Sequence, residues 1–409
     1  MADAKADFYQ NARTDLSGPL DGVRVIDCTT AWAGPMAGCL LADFGADVVR
    51  VAMPGDPGII WPPLIPGTGQ SFASETVNRN KRSVSIDLRT ADGAEVFLEL
   101  VKSADIVVEN FKPGTLAKWG VGYAECRAVK DDVVYLSVSG YGQFGPKSPQ
   151  PGYDPAALAF SGWMALNGSV DGPPTKAPTF LADDLAGLHG ALAALAALRH
   201  RDHTGEGQHV DVSLLDSIIY QSNGLLTLGA TGVKSPRWGS QIAVSVPTNN
   251  YQCTDGYVYI ALILDGHWRK LANQLGHPEL AEAPGYATNN ERIENRDAVD
   301  GLVAEWCSSR SSAEVLAAMD EAGIVASPVN DFATAATDPH VLERDMLQVT
   351  ELRDGTSAPL VGPAAKFSRT PTKVRSPAPA SNQHTDEVLT ALGMSAERLA
   401  ELRGVGAID

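Results

Sequence analysis

Two neighbouring aspartates open the most apolar stretch of the chain, in Phe180-Leu181-Ala182-Asp183-Asp184-Leu185-Ala186-Gly187-Leu188-His189-Gly190. Acids ahead of a helical run are expected as an N-cap and a first-turn residue, because free N–H groups and the helix dipole favour negative charge there. The same placement suits a nucleophile. A helix N-terminus keeps a carboxylate ionised where burial would protonate it, and Gly187 is expected to leave backbone space for a ligand. A second candidate is Gly140-Tyr141-Gly142-Gln143-Phe144-Gly145, which follows the apolar run Val133–Ser139 in the G-x-G-x-x-G pattern that cradles a dinucleotide pyrophosphate. That fingerprint needs a helix to begin at its third glycine. Pro146, Pro149, Pro151 and Pro155 follow instead, so a dinucleotide site is not expected.

Other chemistry-bearing groups are less specific. His200, His203 and His209 straddle a helix end, a glycine turn and a strand start, so they do not form a metal site, and none is expected elsewhere. Arg79, Lys81, Arg82 and Arg89 gather around one strand, with Lys112 and Lys118 after the next, and as a group could hold a phosphorylated ligand. There is no G-x-S-x-G elbow, no H-E-x-x-H and no phosphate-binding G-x-x-x-x-G-K-[ST] loop. ATP-driven ligation thereby loses its marker.

The elements that must position these groups alternate. Strand-like runs VRVID (from Val23), DVVRVA (from Asp47), SVSIDL (from Ser83), ADIVVEN (from Ala104) and VVYLSVS are separated by helical stretches, the first opening at Gly34-Pro35 and another spanning Ala91 to Lys102. This pattern predicts βαβ units, a mostly parallel sheet and an α/β, Rossmann-like core. A Pro/Gly-rich loop from Gly145 to Thr179 leads to the Ala-rich helix around Leu185–Leu198, and HVDVSLLD follows as a further strand. The expected division is a large domain over residues 1–225, a smaller α+β domain over 226–326, and a return to the large domain over 327–409.

The chain has 409 residues, 44% of them apolar, enough for a sizeable core. A formal charge of −17 argues against nucleic-acid partners and anionic membranes, which need a basic face. Five scattered cysteines without a C-x-x-C pair suggest neither disulfides nor structural zinc, and a reduced cytoplasmic compartment is expected. The N-terminus lacks the apolar core of a signal peptide, and the 14-residue run Leu185–Leu198 is too short to span a bilayer.

Seven stretches, in order, resemble the class III CoA-transferases, relatives of the α-methylacyl-CoA racemases: LDGVRVIDCTTAWAGPMAGCLLADFGADVVRV, NRNKRSVSIDLRT, ADIVVENFKPGTLAKWG, SVSGYGQFGP, PGYDPAALAFSG, ADDLAGLHGALAALAALRHRDHTGEGQHVDVSLLD and HTDEVLTALG. The resemblance implies a large Rossmann-like domain with a smaller one, an interlocked homodimer, and transfer of coenzyme A from an acyl-CoA to a small carboxylic acid, with CoA as substrate and no permanently bound cofactor. It makes Asp183, which fits the family's D-x-x-x-G spacing to Gly187, the nucleophile, ahead of Asp184. Asp183 would form an acyl-aspartyl anhydride and then an aspartyl-CoA thioester. Only a carboxylate can form an anhydride that keeps the thioester's energy, which is consistent with the missing ATP loop.

The resemblance also places Tyr153 and Asp154 near the nucleophile. It assigns CoA contacts to Trp32 and Ala33, to Ile86, Asp87, Leu88 and Arg89, to Asn110, Phe111 and Lys112, and to Lys118. The position of Trp32 is glutamine in formyl-CoA transferase, Ala52 stands where a glutamate is usual, and SVPTNNYQ replaces that enzyme's GGGGQ loop. Two alternatives stand beside transfer. One is α-carbon racemisation, which uses a histidine where this chain has Tyr153, a poor base at neutral pH. The other is a CoA-binding protein without turnover, in which Asp183 is merely a cap.

Overall fold

The computed structural model describes residues 4–409. By contact density they divide into two units. The first comprises residues 4–164, Ala177–Ala230 and His340–Asp409; the second comprises Ala165–Lys176 and Thr231–Pro339.

The first unit is built on a six-stranded sheet: β1 (Arg24–Cys28), β2 (Asp47–Ala52), β3 (Lys81–Ser85), β4 (Ile106–Glu109), β5 (Val134–Ser139) and β6 (His209–Ser213). All pairs are parallel and the spatial order is β3-β2-β1-β4-β5-β6. The chain therefore runs outward from β1 in one direction and from β4 in the other. Ligands in such sheets bind beyond the carboxyl ends of the strands where the direction reverses. Every residue of β5 and all but the first of β1 are buried, the continuous pattern of a parallel sheet covered on both faces. One face packs under Ala91–Lys102, Thr385–Ala391 and Ala396–Gly404, around Phe97, Leu100 and Leu389. The other packs under Ala33–Asp43, Leu181–Thr204 and Leu214–Tyr220, around Leu41, Leu136 and Ile218.

The Leu181–Thr204 helix is longer than its apolar run, and by length and composition it could cross a membrane. Its buried face is made of small residues, Ala182, Ala186, Gly187, Gly190, Ala191 and Ala194, seated in the protein core. Gly187 serves this packing rather than ligand approach: a Cβ there would lie 2.7 Å from Met36 Cγ and 3.0 Å from the Ala33 carbonyl oxygen. The helix ends at Gly205, in the left-handed conformation that glycine adopts without strain.

Several sequence expectations shift. The Gly145–Thr179 segment contains two short helices, Asp154–Phe160 and Trp163–Leu166, the first carrying its proline just inside the start. The four members of the basic group around β3 are consumed in ion pairs. Lys81 bonds Asp27 at 2.7 Å with both side chains fully buried, Arg79 bonds Asp43, Arg82 bonds Asp47 and Glu387, and Arg89 bonds Asp87. The HTDEVLTALG stretch forms the helix Thr385–Ala391, and a further helix, Ala396–Gly404, follows it.

The second unit holds an antiparallel sheet of β7 (Thr248–Gln252), β8 (Tyr257–Ala261) and β9 (Val325–Pro328). Helices Asp265–Gln274, Arg296–Ser308 and Ser312–Ala322 close a core around Trp268, Val258 and Met319. Arg292, fully buried there, bonds Asp265 and the Val246 carbonyl. A two-stranded hairpin, β10 (Leu347–Glu351) and β11 (Ser357–Val361), belongs to the first unit.

Candidate active site

A cavity of about 610 Å³ opens beyond the carboxyl ends of β1, β4 and β5, where the strand order reverses. The loop after β1 supplies Thr30, Ala31, Trp32 and Ala33; the loop after β4 supplies Asn110, Phe111, Lys112 and Pro113; the glycine loops supply Gly140 and Gly152–Pro155; and the N-terminus of the long helix supplies Phe180 and Asp183.

The two loops flanking the reversal are tied together. Asn110 Oδ1 accepts the Thr30 N–H at 2.8 Å and Asn110 Nδ2 donates to the Thr30 carbonyl at 2.7 Å, one amide satisfying both backbone groups across the crevice. Glu109, the last residue of β4, accepts the Phe111 N–H at 2.8 Å, and Phe111 packs edge-on against Trp119. Burial raises the Glu109 carboxyl to about 7, against the lowering effect of hydrogen bonds from Ser137 and the Phe111 amide. Beneath the loop after β1, Asp27 takes the Thr29 amide and hydroxyl and is itself neutralised by Lys81.

The glycines of the opening fingerprint are explained by this packing. A Cβ on Gly140 would lie 2.6 Å from the Gly152 Cα, so the Gly140 and Pro151-Gly152 loops meet backbone to backbone. Gly142 and Gly145 turn with φ of 86° and 96°. Between Gly145 and Asp154 no helix begins.

Neither aspartate at the long helix sits at its N-cap. Phe180 occupies the N-cap position without a side-chain bond, and Asp183 and Asp184 both lie in the first turn. Capping is done from elsewhere: Asp154, buried at the start of its own short helix, accepts the Ala182 N–H at 2.8 Å. Asp183 and Asp184 are separated by their surroundings. Asp183 lines the cavity. Asp184 Oδ1 accepts the Trp32 indole N–H at 2.7 Å. Burial raises the Asp184 carboxyl, the indole bond opposes this, and the neighbouring Asp154 charge adds to the rise.

Of the residues expected to act or bind, the cavity gathers Asp183, Tyr153, Asp154, Trp32, Ala33, Asn110, Phe111 and Lys112. It does not gather Ile86–Arg89 or Lys118. Ile86 and Leu88 are core residues, Asp87 and Arg89 pair with each other, and Lys118 is exposed at the end of the Thr115–Lys118 turn of helix. Sequence reasoning missed Trp61, Phe180 and Glu109. Trp61 stands among the prolines of WPPL and Phe180 three residues before Asp183, large aromatics where turns ordinarily carry small or polar residues.

A carboxylate at the helix-lined mouth of a doubly covered parallel sheet defines an α/β protein with its reactive edge at the strand-order reversal. The chain belongs to CoA-transferase family III, whose model matches residues 20–385. It is 38% identical to the succinyl-CoA:L-malate CoA-transferase beta subunit of Chloroflexus aurantiacus, covering 95% of this chain and 98% of that one. It is 36% identical to the succinyl-CoA:mesaconate CoA-transferase of Haloarcula marismortui, over 92% and 97%. Among solved structures, a CaiB/BaiF family protein from Brucella suis superposes with a TM-score of 0.81 at 34% identity, covering 92% of this chain and all of that one. The chain is therefore a class III CoA-transferase, an enzyme that moves coenzyme A from an acyl thioester to a carboxylic acid.

Proposed function

We propose that transfer runs through Asp183. Its carboxylate oxygen attacks the acyl-CoA carbonyl, the C–S bond breaks and CoA leaves as thiolate, giving a mixed anhydride. The thiolate then attacks the aspartyl carbonyl, releasing the first carboxylate and leaving CoA on Asp183. The acceptor carboxylate reverses both steps. The observation that carries this reading is the position of Asp183: on the first turn of the long helix, facing a cavity at the carboxyl edge of the sheet, while Asp184 beside it is engaged by Trp32. A helix N-terminus stabilises the attacking anion, and the closely packed glycine loops suit intermediates that water would hydrolyse.

CoA is held, in this reading, by Trp32, Ala33, Asn110, Phe111 and Lys112 at the cavity, while Asp87, Arg89 and Lys118 meet its far end. Ile86 and Leu88 support that surface from the core. Tyr153 and Asp154 attend the nucleophile, Asp154 by fixing the helix start. The sheet order supports a Rossmann-like large domain, and the smaller one runs past the expected 226–326 to Pro339, because β9 belongs to its sheet. Exposed Phe160, Leu188, Leu192 and Tyr220 offer apolar surface for a second copy, in keeping with an interlocked homodimer. Five free, buried cysteines suit a cytoplasmic enzyme.

The test is peptide mass spectrometry after incubation with a panel of acyl-CoAs and hydroxylamine, comparing the natural chain with Asp183→Ala. Modification confined to the Asp183 peptide, and absent from the variant, is expected. Unmodified protein that instead exchanges the α-proton of an acyl-CoA into deuterated water would establish racemisation.

A further inference from the structure

An acyl group carried by Asp183 sits one helical turn from Phe180, and three aromatic rings meet there. Trp32 packs edge-on against Phe180 at 5.1 Å and 63° between planes, and Phe180 packs against Trp61 at 6.4 Å and 70°. All three line the cavity that contains Asp183. They come from the loop after β1, the Pro/Gly segment after β2 and the start of the long helix, so the arrangement is tertiary. Ala31, immediately before Trp32, is held at φ 63°, a conformation that non-glycine residues seldom adopt.

The polar handle of Trp32 is already used. Indole has one donor and no acceptor, and that donor goes to Asp184. Trp32 can therefore offer an acyl group only its ring surface, the Phe180 side chain has no polar atom, and the Trp61 indole adds a single N–H, too few donors for the several acceptor sites of a carboxylate. An aromatic face is the negative pole of a quadrupole. A carboxylate tail pressed on it leaves water without a partner, whereas a branched or ring-bearing hydrocarbon gains contact.

We propose that Trp32, Phe180 and Trp61 form an apolar acyl pocket whose indole wall is fixed by Asp184, so that the enzyme prefers apolar, branched or ring-bearing acyl groups to acyl groups ending in a carboxylate. The proposal builds on Asp183 as the acylated residue, and Asp184 acts through Trp32 as a positioning residue. The preference departs from the succinyl-CoA and dicarboxylic acids for which the Chloroflexus and Haloarcula relatives are named. The acylation step itself is unchanged: the C–O bond forms on Asp183, the C–S bond breaks, and sulfur leaves with the electron pair as CoA thiolate.

The full-length enzyme is mixed with benzoyl-CoA, isobutyryl-CoA, succinyl-CoA or glutaryl-CoA, and the rate of Asp183 modification is followed by quenching into hydroxylamine and peptide mass spectrometry. Benzoyl and isobutyryl transfer should exceed succinyl and glutaryl by roughly tenfold or more, the scale on which an apolar pocket discriminates. Asp184→Ala should reduce that ratio to within about twofold, while Asp184→Asn, which keeps an acceptor for the indole, should restore it. Trp32→Phe should make the ratio insensitive to Asp184→Ala. Equal or faster labelling by succinyl-CoA overturns the pocket while leaving Asp183 as nucleophile, and so does a ratio untouched by Asp184→Ala. Absence of label on Asp183 from every donor overturns both readings.

Discussion

The ends of β3 and β4 look alike in sequence, each closing on an acid with a basic residue soon after, Asp87 then Arg89 and Glu109 then Lys112, yet they finish in different surroundings. After β4, the Asn110 amide spans to Thr30 and Phe111 and Lys112 reach the cavity. After β3, Ile86 bridges Ile408 in antiparallel fashion and the Asp87 N–H donates to the Ala407 carbonyl. The difference comes from place in the sheet. β4 adjoins β1 at the reversal of strand order, where no crossover covers the crevice, whereas β3 is an edge strand whose continuation the chain's own tail covers. A motif therefore becomes a ligand surface or a core segment according to what the topology lays on it.

The largest expected effect separates the two aspartates on the reversal side. Asp183→Asn should lower transfer by on the order of 10⁴-fold or more, as loss of a nucleophile does. Asp184→Asn should stay within about tenfold, because its amide oxygen can still accept the indole N–H. Steady-state rates with one acyl-CoA and one acid check this, and comparable losses in both variants would erase the distinction between them.

Next comes the support beneath each strand end. Lys81, at the start of β3, has its ammonium fully buried against Asp27, whose other oxygen holds the Thr29 amide and hydroxyl in the loop leading to Trp32. Lys81→Met strands a buried carboxylate and should cost about 3–5 kcal/mol in chemical unfolding. Arg89→Ala breaks a pair whose guanidinium is 60% exposed and screened by water, so its unfolding midpoint should barely move. A similar cost for both would mean that burial does not set the worth of these ion pairs.

Glu109 allows the β4 end to be probed by pH. Its carboxyl is raised from 4.5 to about 7 by burial, so the fold disfavours its ionised form. Below pH 4.5 the proton is bound in both folded and unfolded chains and no stability is lost on its account. As pH climbs from 4.5 through 7 the unfolded chain releases the proton first, stability declines, and above 7 the loss levels off. The total is about 3 kcal/mol. Glu109→Gln keeps an acceptor for the Phe111 amide without the charge. It should unfold like the natural chain at pH 4.5 and be the more stable of the two at pH 8; parallel stability curves would remove Glu109 as the cause.

Much of this arrangement was legible beforehand, and what was not has an identifiable reason. Continuous apolar runs gave the strands, since parallel strands buried on both faces need no alternation. Prolines after Gly145 correctly denied a helix there, and the Asp183 spacing pointed to the residue that lines the cavity. Capping was misassigned because Asp154 reaches the helix from 28 positions earlier, a tertiary bond with no local signature. The Gly187 expectation failed similarly: a small residue marks close approach, but sequence does not say whether a ligand or another helix is approaching. The aromatic trio brings Phe180 onto two indoles more than a hundred residues earlier in the chain, so no window of sequence could contain it.

The smallest effect bears on the two strand ends as CoA contacts. Lys112 is an exposed ammonium at the cavity, where it can meet a phosphate of CoA as an added charge-assisted contact. Arg89 must exchange Asp87, which it holds through two hydrogen bonds of 2.8 Å, for any phosphate it contacts, so most of that contact's energy is offset. Lys112→Ala should therefore raise KM for acyl-CoA roughly tenfold with kcat little changed, and Arg89→Ala roughly twofold, because both cations bind substrate and transition state alike. Added salt should narrow the gap by screening the exposed ammonium. If Arg89→Ala raised KM as much as Lys112→Ala, CoA would have to displace Asp87 at little cost, and the tail-covered end of β3 would be as much a ligand surface as the open end of β4.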